Sequence, residues 1–136
     1  MLHMKERGIK GQSEYAILTD ELTKAWSGMT TRQYKTHKGL KKESLRDNMS
    51  TTELVLNMLA ETATKDISKT INPNGLEENR EVAKQGGEVA ATAREALEKR
   101  TGKSVITKQN ATQLNHVVSA MIEASVNAGE EWEKPR

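Results

Sequence analysis

Tyr34-Lys-Thr-His-Lys-Gly-Leu-Lys-Lys-Glu-Ser-Leu-Arg-Asp-Asn-Met-Ser-Thr-Thr-Glu-Leu54 is the stretch on which the reading of this chain turns. From Arg32 to Arg46 the chain gathers Arg32, Lys35, Lys38, Lys41, Lys42 and Arg46 against one carboxylate, Glu43. It then changes character. Ser50-Thr-Thr-Glu53 fits a capping box, in which the Ser hydroxyl takes the amide three residues on and the Glu reaches back. The spacing predicts a helix over 51–69, with Leu54, Val55, Met58, Leu59, Thr62 and Ile67 on one stripe.

The same signals recur outward from there. Ser13 opens a predicted helix to Ser27, with Ile17, Leu18, Leu22, Ala25 and Trp26 in register and Gly28 as its stop. Thr30 or Thr31 caps a short helix to Lys38, and a further short helix is expected over 41–48. Asn72-Pro-Asn-Gly75 is a turn. The longest helix is predicted from Leu76 to Arg100, with a seam of Val82, Gly86, Val89, Ala93 and Leu97. A glycine inside a helix costs about 1 kcal/mol relative to Ala, so Gly86 and Gly87 point to a backbone packed closely against them. That neighbour is either another helix of the same chain or the same helix of a second copy. Val105–Ile106 reads as an extended link. A last helix is expected from Asn110 to Ala128 through Leu114, Val117, Val118, Met121, Ile122 and Ser125. Residues 1–12 read as a flexible arm, 13–128 as the helical domain and 129–136 as a polar tail. Met1–Met4 reads equally as a cloning scar before an excised C-terminal domain and as the start of a short natural protein. The expected fold is all-α, a single compact bundle of about five to seven helices, monomeric or dimeric.

Composition sets the outer limits. The 136 residues contain 11 Leu, 6 Ile, 7 Val and no Phe. This is a core-poor chain that gains by burying apolar surface against a partner. With no cysteine, disulfides, thiolate metal sites and cysteine nucleophiles are excluded. No apolar run reaches the ~18 residues of a membrane span, and a cytoplasmic location is the expectation. Formal net charge is only +2, yet residues 32–46 hold about +5 of it, leaving the rest acidic.

The pattern K-G-L-K-K…L-R-D-x-M-[ST]-x-x-E-L, carried by Lys38–Leu54, resembles the C-terminal region of the DNA-damage-inducible protein D family. The similarity extends upstream through Glu6–Ile9 and downstream through Glu78, Asn79, Val82, Gly86, Gly87 and Val89 towards Thr107. In bacteria and prophages this region follows an antirepressor-like (BRO-like) domain, which this chain lacks. The resemblance implies a regulatory or interaction domain of the SOS DNA-damage response or of prophage control. It implies a protein partner, with a repressor or a recombinase filament as candidates, and no catalytic residue.

The residues agree with that expectation. Thr101-Gly-Lys-Ser104 copies the end of a phosphate-binding loop, but Leu97 stands where that loop needs glycine. A helix C-cap accounts for it better. His3, His37 and His116 have no metal-ligand spacing, and His116 reads as a structural side chain. Adjacent Glu residues suit helix starts and solvent rather than an acid–base pair. No G-x-S-x-G occurs. Neither an enzyme nor a cofactor or metal site is expected. Only the basic cluster suggests binding. Arg32, Lys35 and Lys38 recur every three residues and so share a helix face, continued by Lys41, Lys42 and Arg46. Such a cluster suits weak, salt-sensitive DNA contact or an acidic protein surface; a solvated face is the plainer account.

Overall fold

The computed structural model describes residues 11–110 and 120–126, and the fold is all-α, with no strand among the described residues. Helix α1 is Gly11–Ser27, α2 is Thr31–His37, α3 is Thr51–Ile71 and α4 is Gly75–Thr101. Residues 120–126 are also helical and exposed throughout. Two of the three predicted N-caps form, with Thr30 rather than Thr31 in the first of them. Thr30 and Gln33 make a reciprocal capping box at α2, and Ser50 and Glu53 make one at α3. At the far end of α4, Gly102 closes the helix in the left-handed region at φ 71°, which only glycine enters at little cost.

Helix α4 is the spine. It packs along both α1 and α3, whereas α1 and α3 touch only briefly. Residues 72–74 turn α3 back into an antiparallel α4. Contacts of Glu21 with Arg80, and of Trp26 and Ser27 with Arg94, make α1 parallel to α4. One end of the bundle therefore collects the C-termini of α1 and α4 and the N-terminus of α3. Helix α2 and the 102–110 link close that end. Trp26, Tyr34, Leu40, Leu45, Leu56, Val105 and Ile106 form its core. Trp26 and Tyr34 meet with ring centroids 6.0 Å apart at 56°, a tilted geometry that aromatic quadrupoles favour. Val105 and Ile106 are thus plugs in the core rather than a plain link.

Other expectations shift. No helix forms over 41–48 beyond a single 3-10 turn, Arg46–Asn48. There the Glu43 carboxylate accepts the Lys41 amide at 2.7 Å, a local bond that competes with helical pairing. Helix α1 starts at Gly11, two residues before Ser13. The stripe assigned to α3 is turned outward in part: Val55 and Met58 are 56% and 48% exposed. The inner face instead carries Glu53, Leu56, Asn57, Ala60, Thr64 and Ser68. From Ala60 onward that face carries only small residues, and α4 approaches closely at Thr64.

The glycines show how close. A Cβ on Gly86 would lie 2.7 Å from the Thr64 amide nitrogen and 2.8 Å from its Cα. One on Gly87 would lie 2.6 Å from the Leu22 carbonyl oxygen of α1. Consecutive residues point about 100° apart around a helix, so each glycine admits a different neighbour. The seam is intramolecular here. Val82 and Gly86 are buried in it and Ala93 partly so, but Val89 and Leu97 are 44% and 38% exposed. Asn79, Ala83, Gly87 and Ala90 complete the buried face in their place. Of the arm predicted over 1–12, Gly11 and Gln12 belong to α1; residues 1–10, the tail at 129–136 and Leu114, His116, Val117 and Val118 of the last predicted helix lie outside the described residues. Met121 and Ile122, inside them, are exposed.

Candidate functional site

Helix α2 ends at His37, and this changes what the basic cluster is. Lys38 is the C-cap, with φ −91° and ψ 2°, so the three-residue spacing that grouped it with Arg32 and Lys35 no longer holds. Its side chain follows Tyr34 into the core and is fully buried. The ammonium lies 2.8 Å from Glu53 Oε1, 2.7 Å from the Gln109 carbonyl and 2.9 Å from the Thr107 carbonyl. It also sits 5.8 Å from the centre of the Tyr34 ring. Lys38 is therefore withdrawn from any surface ligand.

Glu53 is the hub of this network. Its carboxylate accepts the Ser50 amide at 2.9 Å, closing the capping box, and also takes the Tyr34 hydroxyl, the Thr107 hydroxyl and the Thr107 amide. Burial opposes its ionisation, but Lys38, the Ser50 amide and the Tyr34 hydroxyl together hold it below the usual carboxylate range. Burial and the adjacent carboxylate push the Tyr34 phenol far above its ordinary value. Every polar group here is spent on joining α2, α3 and the 105–110 link. The sequence showed Glu53 only as a cap; nothing in local spacing pairs it with a lysine 15 positions away.

Three of the six cations stay together on the surface. Arg32, Lys35 and Lys41 line a groove of about 540 Å³ between α1 and α2. Ala16 and the buried Leu40 contribute apolar surface to it, and Thr19 and Thr36 supply hydroxyls. Asp20 lies on one wall, where its carboxylate accepts the Thr31 amide at 3.1 Å. The groove therefore combines three cations, one engaged carboxylate and an apolar floor. Lys42 is exposed and lies outside this lining. Arg46 makes a two-pronged contact with Glu61 of α3 at 3.0 and 3.1 Å, both side chains being largely solvated.

Among the described residues, no group of three or more His, Asp or Glu side chains is placed to hold a metal. No helix there is long and apolar enough to cross a membrane.

These features define a class: an all-α domain with its bulky core at one end and a cationic groove between its first two helices. Residues 3–117 match the DinD C-terminal domain family, and the chain belongs to that family. It is thereby a domain of the DNA-damage-inducible type. No curated protein and no solved structure gives a significant match to the chain.

Proposed function

We propose that this domain works without catalysis, as the protein-contact part of a DNA-damage-response or prophage-control protein. The α1–α2 groove is its contact site, and the partner presents an acidic segment. A repressor or a recombinase filament is the class of partner the family setting suggests. The observation carrying this reading is the pairing of a cationic rim, Arg32, Lys35 and Lys41, with an apolar floor that includes Leu40. A sugar-phosphate backbone has no use for that floor, whereas an acidic peptide with an apolar side chain uses both parts. Loss of Lys38 to the core and the engagement of Arg46 by Glu61 also leave fewer cations for phosphates.

The test compares a labelled acidic peptide carrying one Leu or Trp with single- and double-stranded oligonucleotides, each at two salt concentrations. The expected result is peptide binding that falls at least tenfold in Lys35→Glu/Lys41→Glu, with the melting temperature nearly unchanged because exposed charges contribute little stability. Micromolar DNA binding with a steep salt slope, and no peptide binding, would instead establish the nucleic-acid reading.

A further inference from the structure

The chain itself contains a segment with the chemistry the groove selects. Glu130-Glu-Trp-Glu133 sets one aromatic side chain among three carboxylates. We propose that this segment docks in the α1–α2 groove of its own chain and competes with the partner for it. The inference rests on the groove reading given above. In it the indole lies over Leu40 and Ala16, where the cationic side chains of Arg32, Lys35 or Lys41 also favour an aromatic face. The flanking carboxylates meet the same three cations.

Chain geometry permits the return. The Asn110 side-chain amide donates to the Lys38 carbonyl at 2.8 Å, so the link leaves the bundle beside the end of α2. Lys38 lies three positions from both Lys35 and Lys41 on the groove rim. With 120–126 helical, the length of chain from Asn110 to Glu130 is enough to reach up to roughly 50 Å. That exceeds the length of α4, about 40 Å at 1.5 Å per residue. A tether of this kind holds the segment at an effective concentration on the order of millimolar, so weak docking suffices to occupy the groove. The tail lies beyond the family match at residues 3–117.

The absence of native cysteine makes the test clean. Thr36→Cys, on the groove wall, is combined with Glu131→Cys in the full chain and oxidised at low protein concentration. A control pairs Glu131→Cys with Glu88→Cys, an exposed position on α4. A disulfide needs its Cα atoms within about 7 Å. The expected result is intramolecular cross-linking of the groove pair at least fivefold faster than the control, slowed severalfold by 1 M salt and by Lys35→Glu. Equal rates for the two pairs overturn the proposal, and so does cross-linking only as a covalent dimer, which makes a second copy the donor. Because the cross-link needs no partner, tail docking fails or holds independently of acidic-peptide binding by the uncross-linked chain.

Discussion

The Lys38 ammonium is surrounded by oxygens from α3 and from the 105–110 link, and it lies at the junction of both with α2. Such a pair adds little net stability when formed, because two charges must leave water. Removing one partner, however, leaves the other buried and uncompensated, at a cost of about 3–5 kcal/mol. Lys38→Met is expected to destabilise by that amount in urea titrations, and Glu53→Gln by a comparable one. The double variant should cost clearly less than the two singles together, since no charge is then stranded. Strict additivity would mean the two side chains do not act as a pair. The Glu53 cap was legible beforehand but its pairing was not: Lys38 carried the same local signals as Lys35, and the oxygens that draw it inward come from α3 and the link.

At the scale of the element, α4 combines a helix-weakening pair of glycines with close approaches to Thr64 of α3 and Leu22 of α1. Alanine at Gly86 gains up to about 1 kcal/mol of helix propensity. Its methyl group, however, would press on the Thr64 backbone, which cannot move aside as a side-chain tip would. Overpacking of this kind typically costs about 1–3 kcal/mol, so Gly86→Ala is expected to lower stability. Val89→Ala on the exposed side of the same helix should change it by less than about 0.5 kcal/mol. Thermal melts of both variants decide the matter. A Gly86→Ala protein that melts higher would mean α3 does not approach as described. The glycines were readable as marks of close approach, but which neighbours they admit was not. The seam read from spacing took in Val89 and Leu97, because a 3–4 repeat fixes a face only to within a few tens of degrees.

Across the whole molecule, the Glu53 network joins the link to the bundle and gives the fold an acid-sensitive joint. The folded-state pKa of Glu53 is lowered, so unfolding takes up protons where that carboxylate is ionised only in the folded state. Its contribution is complete above the ordinary carboxylate value of about 4.3 and is lost as pH falls through the lowered folded value. The stability gap between the wild type and Glu53→Gln should therefore be widest near pH 6 and close towards pH 2. Chemical denaturation across that range measures it; a gap that stays constant would show that the ionised form is not what holds the joint. Further along α3, Thr64 and Ser68 bury hydroxyls without a hydrogen-bond partner among the described residues.

By itself the sequence determined what depends on neighbours a few residues apart. The all-α class, the Ser50–Glu53 capping box, the stop at Gly102 and the family were carried by motifs and periodicity; the Thr30–Gln33 box emerged only with the structure. The tertiary structure alone decided which residues those helices turn inward and which cations remain outside. Val55 and Met58 lie outside although apolar, because α4 packs on the face that carries Leu56, Ala60 and Thr64 instead. Lys38 lies inside although charged, because Glu53, Tyr34 and the Thr107–Gln109 carbonyls meet it there from distant parts of the chain. Burial of a charge is decided by partners far along the chain, and local spacing carries no record of them.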